Sequence, residues 1–273
     1  MKDDNCCQWP EKVELFGIRL SCTDYHSALR AIIESAKCCK SFVVDFISVD
    51  PLVQAVRSAE LAGVINSFEC ACPDGHPVRM AMNHLCKTRL ADRVYGPDLM
   101  TMVIREAAAE QIPVYFYGCT ERTLDLLKSR LLAQFPVLRI AGMYAPPFRE
   151  LTDSEYAQVS SMILSSGARI VFVGLGAPKQ SFFAQRMRER TPVGFLCVGA
   201  AFDFLAGTKR KAPVWMQKNS LEWFFRLCQE PRRLAYRYTV RNIQFICLYL
   251  SSLVRKIFRE SLGRKAYVVG KRG

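Results

Sequence analysis

The chain has 273 residues, half of them hydrophobic, which suffices for one large domain with a sizeable core and excludes wholesale disorder. Its formal charge of +13 is unevenly spread: residues 231–273 hold eleven Lys or Arg against a single acid, Glu260, so +10 lies in that stretch. A nearly balanced body with a basic end points to an anionic partner: acidic lipid, a phosphorylated ligand or nucleic acid. Twelve scattered cysteines, with no CxxC pair and no Cys/His grouping, argue for free thiols in a reducing compartment rather than a metal site or a disulfide scaffold. Met1-Lys2-Asp3-Asp4 carries acids where a secretory leader would begin an apolar run.

In chain order, β-branched or aromatic runs predict strands at 13–20, 41–46, 68–72, 114–117, 138–141, 169–173 and 193–198. Helical spacing predicts helices at 24–36, 51–60, 97–110, 120–135, 154–165 and 178–189. Pro97 and Pro178 suit first-turn positions, and Thr120 suits a cap. The runs from Val114 onward are almost continuously apolar, as in a parallel sheet covered on both faces. The alternation predicts an α/β, doubly wound, mainly parallel, Rossmann-like sheet. After Gly207 the strands stop, and Trp215, Trp223, Phe224, Tyr236 and Tyr238 crowd into a basic helical stretch. The reading is therefore an α/β domain over 1–211 and a basic helical appendage over 212–273.

Four segments fall where predicted strands end, the place where open α/β sheets bind ligands. Cys72-Pro73-Asp74-Gly75-His76-Pro77 puts an acid on a tight turn, which suits either a general base or a loop-shaping Asx-turn. Tyr117-Gly118-Cys119-Thr120 and Gly174-Leu175-Gly176-Ala177-Pro178-Lys179-Gln180 join strands to helices. Their glycines allow close backbone approach, Lys179 offers a point charge and Gln180 a hydrogen-bonding fork. Gly199 to Gly207 carries Asp203 in an apolar setting, as a ligand contact or as a cap on the next turn. Neither GxGxxG nor GxxxxGK[ST] is present, which speaks against a dinucleotide-dependent oxidoreductase. The histidines are too dispersed for a metal pattern, and the DxD motif is absent, Asp3-Asp4 being adjacent.

These segments, with Arg93-Val94-Tyr95-Gly96-Pro97-Asp98-Leu99, Ala212-Pro213-Val214-Trp215-Met216, Leu221 to Leu227 and Gln229-Glu230-Pro231-Arg232-Arg233, stand in an order and spacing that resembles the WecG/TagA/CpsF family of bacterial glycosyltransferases. The resemblance covers roughly residues 13 to 250. It implies an inverting, metal-independent enzyme without cofactor. The donor would be a UDP-sugar and the acceptor a sugar on a polyprenyl diphosphate at the inner face of the membrane. Asp74 is the implied base. Gly75 adjoins it, and the loops of Gly118, Gly174 to Gln180 and Gly199 to Asp203 are the implied donor site. The arginines of the appendage are the implied diphosphate and membrane contacts; Arg93 and Arg226 are the candidates to meet the charge growing on UDP, with Arg232 and Arg233 available if the appendage folds over the site. The chain departs from the family pattern at Phe46-Ile47-Ser48, where many members carry Thr and Asn, and at His76-Pro77. The donor is left between an N-acetylmannosamine type and a hexose used in exopolysaccharide assembly.

The stretch 243–254 is interrupted by Gln244, Ser251 and Ser252 and falls short of the ~20 apolar residues of a spanning helix. With Arg233, Arg237 and Arg241 in one stripe before it, it reads as a helix resting on an anionic membrane surface, not as a nucleic-acid site. The expected location is cytoplasmic and peripheral to the plasma membrane, and the sequence is compatible with a homo-oligomer. Removing the chain from about residue 231 is expected to leave a more soluble, poorly active protein.

Overall fold

The structure, a computed structural model, describes residues 8–213, 215–216 and 221–269, the side chains of 233, 237, 257 and 259–269 excepted. The first strands, β1 (Lys12–Leu15) and β2 (Ile18–Ser21), form an antiparallel hairpin separate from the main sheet. The sequence predicted one strand here. Phe16 and Gly17 both take positive φ, +56° and +85°, the two-residue turn that matches strand twist, and so fold the run back on itself.

The remaining strands are β3 (Phe42–Ile47), β4 (Cys70–Pro73), β5 (Val114–Gly118), β6 (Ile140–Tyr144), β7 (Ile170–Gly174) and β8 (Gly194–Cys197). They make one parallel sheet in the order β4-β3-β8-β7-β5-β6. Between them run α1 (Tyr25–Lys37), α2 (Val49–Arg57), α3 (Ala59–Ser67), α4 (His76–Leu85), α5 (Gly96–Ala109), α6 (Glu121–Gln134), α7 (Asp153–Ser165), α8 (Lys179–Arg188) and α9 (Ala201–Ala206). The chain then continues into α10 (Glu222–Gln229) and α11 (Pro231–Val269).

The period-2 alternation of β3 divides the core. Phe42, Val44 and Phe46 face α1, α5, α6 and α9, whereas Val43 and Ile47 face α2, α3, α4, α7, α8 and the hairpin. Helices thus cover both faces, as the apolar strands predicted. Three elements differ from the sequence reading. The helix predicted over 51–60 ends at Arg57, because Ser58 turns extended and its side chain caps α3. Residues 76–85, read as following a loop, form α4. Residues 201–206, also read as loop, form a short helix ended by Gly207 at φ +70°.

The helix α11 is docked rather than free. Arg241 pairs with Asp50 of α2 at 3.3 Å, and Lys256 donates to the carbonyl of His84 at 2.8 Å. The Tyr249 hydroxyl meets the His84 ring, and Phe245 is buried edge-on to Phe16. The predicted apolar run is therefore split between two faces. Phe245, Leu248 and Tyr249 pack inward, while Ile243, Ile246, Leu250 and Val254 point outward, each at least half exposed. Truncation at 231 would uncover core, so the expected gain in solubility does not follow. Among the described residues no helix is long and apolar enough to cross a membrane. Nine described cysteines are free, in line with the expectation of mostly free thiols, and Cys38 is disulfide-bonded.

Candidate active site

The carboxyl ends of β3, β4, β5, β7 and β8 open into one cleft of about 230 Å³. Asp74 stands at the tip of β4. Its backbone N–H donates to Ile47 O, and Gly75, at φ +103°, turns the chain at once into α4. Val94 donates to Pro73 O, which brings Arg93 and Tyr95 to the same strand end. The Arg93 guanidinium lies 4.5 Å above the Tyr95 ring. Its Nη2 donates to Glu222 Oε2 at 2.5 Å, and its Nη1 stands 3.8 Å from Asp74 Oδ1.

Burial pushes the Asp74 carboxyl up to about 7, partly countered by Arg93 and reinforced by Glu222. A carboxyl so placed is half ionised at neutral pH, the condition for a base that must accept a proton. Burial disfavours the charge of Arg93, but Asp74 and Glu222 outweigh it and hold the arginine above its ordinary value. The same sign holds for Arg226, where Tyr238, Tyr95, Glu222 and Asp74 outweigh burial.

The far wall comes from α9 and the segment after it. Asp203 pairs with Lys209 at 3.1 Å, its carbonyl accepts from Thr208 and Lys209 N–H, and Lys209 also reaches Glu230 at 3.3 Å. With Gln229 donating to Arg210 O, these contacts tie α10 over the cleft and bring Arg226 into its lining, above the Phe204 ring. Among the described residues no group of three or more His, Cys, Asp or Glu is gathered as metal ligands.

Residues 13–259 match the glycosyl transferase WecG/TagA/CpsF family. The chain belongs to that family. It is similar to the N-acetylglucosaminyldiphosphoundecaprenol N-acetyl-beta-D-mannosaminyltransferase of Bacillus subtilis (strain 168), 28% identical over 70% of this chain and 73% of the relative. It is likewise similar to the enzyme of the same name from Bacillus spizizenii, 30% identical over 66% of this chain and 68% of the relative. The chain is thus a glycosyltransferase.

Of the residues expected in this glycosyltransferase's site, Asp74, Gly174, Gly176, Gln180, Gly199, Asp203 and Arg226 line the cleft. Gly75 and Arg93 flank it. Lys179 is exposed and, like Pro178, does not line it. Gly118 does not either; a Cβ there would stand 2.7 Å from the Gly174 backbone, so this glycine serves the close approach of β5 and β7. Arg232 is exposed in the first turn of α11, and the side chain of Arg233 lies outside the described residues.

Gln180 is not the free fork expected. It is buried, its Oε1 accepts from Gly176 N–H, and its amide donates to Asp45 Oδ1 at 3.0 Å and to Cys197 O at 2.8 Å. Asp45 takes a further bond from Ser181 Oγ at 2.6 Å. Burial raises the Asp45 carboxyl, against these hydrogen bonds. Gln180 therefore shapes the Gly174–Pro178 loop from beneath. Gln180→Met would strand Asp45 Oδ1, Cys197 O and Gly176 N–H, and should cost about 2–3 kcal/mol of stability in urea titration. An unchanged midpoint would show the network to be dispensable.

Sequence reasoning missed Tyr95, Lys209 and Glu222 as site residues. The basic run Lys209-Arg210-Lys211 after Gly207 was the available signal for Lys209. Tyr95 and Glu222 lay inside family-like segments without a role; Tyr95 Oη is buried beside the Glu222 carboxylate.

Proposed function

We propose that this glycosyltransferase is an inverting enzyme that moves a sugar, of N-acetylmannosamine type or a hexose, from a UDP-sugar to a sugar carried on a polyprenyl diphosphate. The observation that carries this reading is the buried carboxyl of Asp74 at a strand end, lining one cleft with the Arg226 guanidinium and pushed up to about 7 by burial. Asp74 takes the proton of an acceptor hydroxyl. The oxygen attacks the anomeric carbon from the face opposite the diphosphate, the bond to the diphosphate breaks, and UDP leaves with its electron pair. The charge growing on UDP needs donors. The N–H groups of Gly176 and Gly199 are already given to Gln180 and Val173 O. That load therefore falls on Arg226 and Lys209, with no metal required. The names of the two Bacillus relatives support an N-acetylmannosamine-type sugar as the group moved and a diphosphoundecaprenol-linked sugar as the acceptor. The test is acceptor-dependent UDP release across a panel of UDP-sugars in EDTA. Release with one donor names the sugar; no release, together with no UDP binding, overturns the reading.

Such an acceptor would put the enzyme at a membrane, and the reading we propose is a peripheral protein on the cytoplasmic face. The outward row Ile243, Ile246, Leu250, Val254 and Phe258 on α11 suits insertion among headgroups, with Arg255 beside it. Ile246→Glu/Leu250→Glu/Val254→Glu, which leaves the inward face intact, is expected to abolish co-sedimentation with anionic vesicles while UDP binding persists. Undiminished co-sedimentation would remove α11 from this role.

A further inference from the structure

Glu222 belongs to α10, yet it is buried against the strand end that carries Asp74, 129 residues away from its partner Arg93. All three side chains are secluded: Arg93 exposes 12%, Glu222 10% and Asp74 17%. One planar guanidinium is thereby shared between two carboxylates on unequal terms. Glu222 holds Nη2 at hydrogen-bond distance, whereas Nη1 stops 3.8 Å short of Asp74, near enough to act by charge and too far to donate. The stacking of the guanidinium on Tyr95 fixes its plane.

We infer that Glu222 is a positioning residue for the transfer reaction: by anchoring Arg93 it keeps that guanidinium from closing onto Asp74, so the base retains a free oxygen only while α10 is seated over the cleft. The inference rests on the proposed role of Asp74. Without Glu222, Arg93 is free to swing about its stem and make a direct, two-point contact with Asp74. That contact would tie up the oxygens that should receive the acceptor's proton. It would also stabilise the anion and weaken it as a base. Glu222 thus couples two events, the docking of the helix that brings Arg226 and the readiness of Asp74.

The charged and titratable groups around Asp74 are few. Arg93 and Tyr95 come from the segment before α5, Glu222 and Arg226 from α10, Tyr25 from α1 and Cys72 from β4. Arg93 and Arg226 favour the Asp74 anion and Glu222 opposes it. Removing Glu222 therefore moves the Asp74 midpoint down, and removing Arg93 moves it up.

The decisive experiment is a ¹³C-carboxyl NMR titration of aspartate-labelled protein, with Asp74 assigned by its loss in Asp74→Asn. Glu222→Gln is expected to lower the Asp74 midpoint by about one pH unit, and Arg93→Gln to raise it. With acceptor and donor, Glu222→Gln should also move the acidic limb of the kcat profile down, reduce kcat about tenfold at its plateau and leave donor KM within twofold. Glu222→Asp, which keeps the charge, should recover part of both effects, and it stands in if the glutamine variant folds poorly. A midpoint that stays put, or moves the same way in both variants, overturns the inference. The titration is read whether or not sugar is transferred, so a wild type that transfers none would sink the proposed function and leave this coupling to be judged by NMR alone.

Discussion

Asp74→Asn is expected to release UDP about 10²–10⁴-fold more slowly than the wild type, and above pH 7 to unfold at a higher temperature. The first effect follows from removing the carboxyl at the end of β4 that lines the cleft. An amide of the same shape cannot take the acceptor's proton. The second is a matter of linkage. In the folded protein Asp74 holds its proton to about pH 7, while in the unfolded chain a carboxyl releases it near 4. The folded state therefore binds more protons between these limits. The stability that this group contributes is fully present below about pH 4 and is lost as pH rises through 7. Asparagine has no proton to lose. The gap in Tm between the variant and wild type should open across that window and level off above it, at most ~1.4 kcal/mol for each pH unit. Thermal melts at pH 4.5, 6 and 8, beside UDP-release assays, check both. Full turnover would remove Asp74 from the base role, and equal melts at pH 8 would mean its carboxyl is not raised.

Arg226→Gln should lower kcat by about 10²–10³-fold, with little change in stability. The physical ground is the scarcity of other donors. Glycine loops at strand ends suit phosphate, yet the amides of Gly176 and Gly199 are spent inside the protein. Lys209 is divided between Asp203 and Glu230. Arg226 lines the cleft with its guanidinium over Phe204 and forms no ion pair among the described residues, so its charge is available to a departing diphosphate. Arg226→Lys keeps the charge but loses the planar fork and should fall between the two. Single-turnover measurement with saturating donor isolates the chemical step. A glutamine variant whose single-turnover rate matches wild type would assign the leaving-group charge elsewhere.

Much of the architecture was legible in residue order. Nearly continuous apolar runs such as Val114–Tyr117 and the one that follows Arg169 up to Val173 could be buried only in a sheet covered on both faces, and the helical spacing between them supplied the covers. Asp74 could be singled out because a Pro-Asp-Gly turn after a strand has few structures open to it. Local rules faltered where two elements met without a strong breaker. Phe16-Gly17 hides a hairpin inside one apolar run, and Ser58 splits what reads as one helix, because each junction rests on the φ and ψ of one or two residues.

What only the tertiary structure decided is which side chains are spoken for. Gln180 looked like a ligand's fork until Asp45, on a strand distant in sequence, claimed its amide; a buried carboxyl must find donors, and Gln180 joins Ser181 and the Phe46 N–H in supplying them. Gly118 looked like a phosphate loop until the Gly174 backbone proved to occupy the space beside it. The apolar residues of α11 looked like one membrane face until Asp50, Phe16 and His84 turned half of them inward. Glu222 carried no signal of its own, because its meaning is a single ion pair with Arg93, and charge pairing across 129 residues exists only after the chain has closed. Periodicity and turn chemistry are properties of neighbours in sequence, so the sequence by itself determined the layers and the strand-end location of Asp74. Competition for hydrogen bonds and charge is a property of neighbours in space, so the division between ligand-facing and self-satisfied groups waited for the fold.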